Sequence, residues 1–206
     1  MPPPEADTLT GKQENAMRAT TTLINQAFGQ EARRSWLRDA LLVLGGTGLL
    51  AISAKVQVPF YPVPMTMQTL SVLVIGAAFG WRLGALTIIA YLAEGAMGLP
   101  VFAGKGAGLG YMMGPTGGYL LGFVLAAAVT GYLSERGYTK SVVGALAVMA
   151  LGHVLLFVPG YLWLASLFGA EKAYAVGVAP FYLATALKTG LGAALLPAAW
   201  WAVGRR

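Results

Sequence analysis

Two ionisable residues stand inside apolar runs of this chain, and chemistry has to be sought there first. Lys188 lies some eight residues into the last apolar run, and Glu94 lies near the end of the third. Charges inside a bilayer are costly, so such residues are taken as functional until shown otherwise. Spacing of i, i+3, i+4 and i+7 puts Thr185, Lys188, Thr189 and Gly192 on one helical face, and i+3 spacing puts Tyr91 beside Glu94. An ammonium, a carboxylate and hydroxyls in an apolar setting suit a small amphipathic ligand with an anionic group. Each residue also has a plainer reading. Lys188 is about two turns from its helix start, within snorkelling reach of the interface. Glu94 could partner a backbone amide or Lys105.

Other chemistries lack their residues. The chain has no cysteine, which removes thiolate nucleophiles, zinc thiolate sites and redox motifs. Its single histidine, His153, cannot assemble a metal site alone, because such sites want several converging ligands. A hydrogen bond to a neighbouring helix is its expected role. The run Gly98-Leu-Pro-Val-Phe-Ala-Gly104-Lys105-Gly106 fails as a phosphate loop. That motif needs four residues between its glycines and Ser or Thr after the lysine. ATP hydrolysis by this chain is therefore not expected, nor is any other catalysis or cofactor.

The elements that must position these residues are membrane helices. Of 206 residues 57% are hydrophobic and only 11% charged, against roughly 25% charged in a soluble domain. Mean hydropathy is +0.66. The expected fold is an all-α membrane protein, a compact six-helix bundle over residues 37–206, preceded by a polar cytoplasmic tail over residues 1–36. Within the tail, Met17, Leu23, Ile24, Ala27 and Phe28 fall at roughly helical spacing. They allow either a short interfacial helix or a tail without fixed structure. The six apolar segments run about Leu37–Ala54, Met67–Gly80, Leu83–Leu99, Gly117–Leu133, Val142–Pro159 and Pro180–Val203. Several fall short of the ~20 residues of a standard span. Tyr161–Phe168 either continues the fifth helix or caps the outer face.

With both termini cytoplasmic, Lys12, Arg18, Arg33, Arg34, Arg38, Arg82, Arg136, Lys140, Arg205 and Arg206 lie inside. Lys55, Lys105 and Lys172 lie outside. This is a positive-inside bias, and it makes the net charge of +6 a matter of topology rather than of nucleic-acid binding. Trp36, Trp81, Trp200 and Trp201 flank the inner basic clusters as interfacial anchors. The inner turns are read as tight, at Trp81-Arg82 and Ser134–Ser141. The outer connections Lys55–Thr66, Pro100–Thr116 and Gly160–Ala179 are long, as on a face that binds something. They add Phe60, Tyr61, Phe102, Tyr111, Tyr161, Phe168 and Tyr174 as candidate walls of a pocket.

Four stretches carry a family likeness: Val58-Pro-Phe-Tyr-Pro-Val-Pro-Met-Thr-Met-Gln-Thr-Leu70, Arg82-Leu-Gly-Ala-Leu86, Gly98-Leu-Pro-Val-Phe-Ala103 and Gly114-Pro-Thr-Gly-Gly-Tyr-Leu-Leu-Gly122. Over about Leu37 to Val203 the chain resembles the BioY family, the biotin-binding S components of energy-coupling factor (ECF) transporters. The resemblance implies a six-helix subunit of the cytoplasmic (inner) membrane with an outward biotin pocket. It also implies a transmembrane coupling subunit and two cytosolic ATPase subunits as partners. The family pattern in the last helix resembles Asp three residues before Lys. Lys188 matches the lysine, but Thr185 holds the aspartate position, and Glu94 is expected to supply the missing acceptor. Lys188 or Lys105 would pair with the biotin carboxylate or donate to the ureido oxygen. S components resemble each other in docking through small residues of the first helix, for which Thr47, Ala51 and Ala54 are the expected stripe; internal packing favours small residues too. The alternative function is a solitary or self-oligomerising biotin transporter without ATPase partners.

Overall fold

The computed structural model describes residues 22–28 and 36–205. Met17, and all of the tail before Thr22, lie outside the described residues. The elements are α1 (Leu23–Phe28), α2 (Trp36–Lys55), β1 (Gln57–Val58), β2 (Met65–Thr66), α3 (Gln68–Ala96), α4 (Gly108–Met112), α5 (Gly117–Glu135), α6 (Val142–Phe168), α7 (Ala170–Gly177) and α8 (Tyr182–Gly204). Helix dominates because apolar segments of this length must satisfy their backbone internally. Among the described residues, α2, α3, α5, α6 and the stretch from α7 through α8 are long and apolar enough to cross a membrane.

The count of apolar segments and the count of helices differ at one residue. Gly80 sits inside α3 with φ 83° and ψ 173°, a conformation essentially restricted to glycine. Residues eight apart in a continuous helix are separated by about 12 Å. Here a Cβ on Gly84 would lie 3.0 Å from the Gly76 Cα. The two arms of α3 are therefore folded back on each other as a hairpin. The reversal is at Gly80, and Trp81 and Arg82, expected to form the turn, are already helical. The Glu135 carboxylate accepts from the Trp81 amide at 3.1 Å, which caps the second arm.

The remaining boundaries shift for physical reasons. Helix α6 runs through Pro159 to Phe168, so Tyr161–Phe168 continues the fifth segment. The outer connections are not plain coil. The first holds an antiparallel pairing of Gln57 with Thr66 and Val58 with Met65, the second holds α4, and the third holds α7. The hairpin end of the bundle carries Arg82, Arg136, Lys140 and Arg205 against the rings of Trp81, Tyr132, Trp200 and Trp201. Lys55 and Lys172 lie at the opposite, loop-bearing end. At the hairpin end α1 packs on the bundle, with Leu23 in the core cluster.

The small-residue stripe of the first membrane helix faces inward. Thr47 is 4% exposed and Ala54 0%, and Ala51 packs against the core. A Cβ on the adjacent Gly46 would collide with Thr87 and Phe79 of α3. The stripe expected to dock a partner is thus used for packing α2 onto α3. The face that α2 leaves exposed carries Leu41, Leu44, Leu49 and Ile52.

Candidate functional site

Lys188 is buried in α8, 8% exposed. Its Nζ donates to the Thr66 carbonyl at 2.6 Å and to the Thr69 hydroxyl at 3.1 Å. It does not snorkel, and among the described residues it has no carboxylate partner. Thr66 is the last residue of β2, just before α3 begins at Gln68, and its carbonyl faces α8.

Around this ammonium lies a cavity of about 50 Å³. Its polar walls are Thr66, Gln68, Thr69, Tyr111, Thr116, Tyr119, Thr185 and Lys188, and its apolar walls include Phe123, Leu156, Phe157 and Phe181. Elements far apart in sequence thus meet here: the first loop, the start of α3, the second loop, α5, α6 and α8. Among the described residues the lining is one cation among neutral donors and acceptors, with no carboxylate. Gln68 donates to the Tyr91 hydroxyl at 2.5 Å, and that hydroxyl donates to the Val101 carbonyl at 2.9 Å. Tyr119 donates to the Gly177 carbonyl at 2.7 Å, tying α5 to α7. Burial pushes the Tyr111 phenol above its ordinary range, against the opposing pull of hydrogen bonding with Thr116 and the Ala103 backbone.

Three larger spaces adjoin the cavity, one of them, of about 310 Å³ between the first loop and α8, sharing Thr66 and Lys188 with it. A vestibule of about 360 Å³ at the loop-bearing end is lined by Gln57, Phe60, Pro62 and Gly104. It shares Pro64, Ala103, Tyr111 and Thr116 with the inner cavity. Between α6 and α8 an apolar groove of about 720 Å³ opens sideways, with Tyr161, Tyr174 and Tyr182 in its walls. Phe157, Phe181 and Thr185 separate it from the inner cavity. His153 borders this groove, its Nδ1 3.0 Å from both the Met149 carbonyl and the Thr189 hydroxyl. It bridges α6 and α8, the plain role expected for a lone histidine.

Of the expected site residues, Lys188, Thr185 and Tyr111 come together in the inner cavity. Phe102 and Tyr91 stand one layer behind: Phe102 stacks on Tyr111 with ring centroids 5.1 Å apart and meets Tyr91 edge-on at 5.5 Å. Glu94 and Lys105 are not among the cavity walls. Glu94 is half-buried at the end of α3, and Lys105 is exposed on the second loop. The expectation that Glu94 replaces the missing aspartate therefore fails on placement. The acceptors that the lining does hold are neutral, namely the Gln68 amide and the threonine hydroxyls. Sequence reasoning passed over Thr66, Gln68, Thr69, Thr116 and Tyr119. The signal for the first three was present, a polar Thr-x-Gln-Thr cluster between a proline-rich stretch and an apolar run.

Apolar helices closing a polar cavity around one buried ammonium define a multi-pass membrane protein with a site inside its bundle. The chain belongs to the BioY family, whose model matches residues 19–205. It is 34% identical over 151 residues to the "Probable biotin transporter BioY" of Pyrococcus horikoshii, covering 73% of this chain and 89% of that protein. It is 38% identical over 141 residues to the "Biotin transporter BioY" of Thermotoga maritima, covering 66% and 79%. Its fold is similar to the crystal structure of the S-component for biotin from an ECF-type ABC transporter. The TM-score is 0.69 at 21% identity, over 79% of this chain and 90% of that one.

Proposed function

We propose that this chain is the biotin-binding subunit of an ECF-type uptake transporter. It sits in the cytoplasmic membrane with both termini cytoplasmic. A separate transmembrane coupling subunit and two cytosolic ATPase subunits energise it. The observation that carries this reading is the inner cavity, one ammonium among neutral hydrogen-bonding groups and aromatic walls. Biotin offers matching chemistry: a compact ring with apolar flanks, a ureido group with two donors and one acceptor, and an anionic tail. Lys188 supplies the cation, while Gln68 and the threonine hydroxyls supply acceptors for the ureido N–H groups.

Ligand pockets usually measure ~300–1,000 Å³, and the inner cavity is far smaller. Binding on this reading pushes the wall of Pro64, Ala103, Tyr111 and Thr116 outward into the vestibule, so that the inner cavity enlarges while the wall still covers it. An analogue lacking the ureido group would leave buried polar groups unpaired, at about 1–3 kcal/mol each, and be rejected. The test is equilibrium binding of radiolabelled biotin to the purified, detergent-solubilised chain without partners. Saturable binding without ATP is expected. Binding that appears only after ATPase subunits are added would sink the reading.

A further inference from the structure

Lys55, the last residue of α2, makes three hydrogen bonds with one ammonium. Its Nζ donates to the carbonyls of Pro100 at 2.6 Å, Phe102 at 2.7 Å and Gly104 at 2.7 Å. A lysine has three N–H donors, and here all three are spent on alternate carbonyls of one loop. The loop curls to present them because Gly104 takes a left-handed φ of 60°. The curl is closed by its own bonds, Phe102 N–H to the Gly106 carbonyl at 3.2 Å and Gly106 N–H to the Ala103 carbonyl at 3.0 Å.

The gripped segment forms one side of the cavity wall. Phe102, 1% exposed, props Tyr111 from behind. Ala103 and Tyr111 belong to the partition between inner cavity and vestibule. Lys55 itself lines neither space. The three bonds run from one exposed side chain, so they can be released together while the helices stay packed.

We propose that Lys55 is a positioning residue that latches residues 100–106, and with them the partition, over the inner cavity. On the biotin-binding reading above, the latch governs how long ligand is retained. Charged hydrogen bonds of this kind are about twice as strong as neutral ones, and changes at a binding site act mostly on dissociation.

The experiment uses the full chain in detergent with Lys55→Met, Lys55→Arg and, as a charge-matched control at the same end, Lys172→Met. Amide hydrogen exchange is measured without ligand, and biotin release is followed by stopped flow. Lys55→Met should speed exchange at the amides of 101–106 and raise the biotin dissociation rate by about tenfold, with the melting temperature of the bundle unchanged. Lys55→Arg should restore protection only in part, because a planar fork cannot cap three carbonyls around one point. Lys172→Met should match the parent in both readouts. Unchanged exchange at 101–106 in Lys55→Met overturns the latch, as does faster exchange with unaltered release. Should the parent chain bind no biotin, the binding reading fails while the exchange measurement still decides the latch.

Discussion

Lys188 is the residue on which the binding reading turns. Its two partners are a carbonyl and a hydroxyl, so its positive charge is solvated but not neutralised. An anionic or strongly accepting ligand gains from that arrangement. Lys188→Met keeps the bulk of the stem and removes the charge, and biotin affinity should fall at least tenfold, about 1.4 kcal/mol. Isothermal titration checks this, with thermal unfolding as the folding control, and parent-like affinity would refute it. Lys188→Arg should not restore full affinity, since the pocket holds a compact ammonium. Lys188 was legible in the sequence because an unexplained charge in an apolar helix is conspicuous. Its pairing with Thr66 and Thr69 was not: they lie 122 and 119 residues away in the chain, and no local pattern states which helices meet. Glu94 shows the converse failure. Helical periodicity gave it a face shared with Tyr91 but not the direction of that face relative to the cavity.

At the scale of elements, the hairpin of α3 rests on Gly80. Any side chain there would be strained by the positive φ and would also run into Glu135 and Thr22. Gly80→Ala should destabilise the isolated chain by about 1–3 kcal/mol, read as a lowered melting temperature in detergent. A melting temperature equal to that of the parent would overturn the assignment of that strain to Gly80. Tyr119 makes a second element-level test. Tyr119→Phe strands the buried Gly177 carbonyl and should cost about 1–3 kcal/mol, loosening α7 from α5. Faster amide exchange confined to 170–177 would report it. The apolar runs and their order could be read from composition alone, because hydrophobic length is a strong signal. The exact turn could not: Trp81-Arg82 looked like the break because Arg82 interrupts the apolar run, whereas the backbone reverses at Gly80, the residue that tolerates the dihedrals.

At the scale of the molecule, α2 presents outward a face different from the one its small residues suggested. Thr47 and Ala54 are already committed to the interior, so Ala51→Trp should lower the stability of the isolated chain. Gly45 and Gly48 have open space around a would-be Cβ, and Gly48→Leu should leave the melting temperature as it was or raise it. If Ala51→Trp melts like the parent, the inward assignment of the stripe is wrong. A small-residue stripe is ambiguous in sequence because close helix approach serves internal and external contacts alike.

The hairpin in α3 also bears on the surrounding lipid. Gln68–Phe79 and Trp81–Ala96 are 12 and 16 residues long by their numbering. At ~1.5 Å per residue they span about 18 Å and 24 Å, against a hydrocarbon core of ~30 Å. No residue of Gln68–Phe79 is exposed, whereas Leu86, Ile89 and Ala93 of the second arm are, so it is beside Trp81–Ala96 that the membrane has to thin, at fractions of a kcal/mol per Å of hydrophobic mismatch. The chain should therefore be more stable in vesicles of short-acyl lipids than in those of long-acyl lipids, with the melting temperature falling as the bilayer thickens. A protein that deforms the membrane when alone gains from any neighbour that shares the deformed patch, so bilayer elasticity itself would draw such a chain toward other short-spanning membrane proteins.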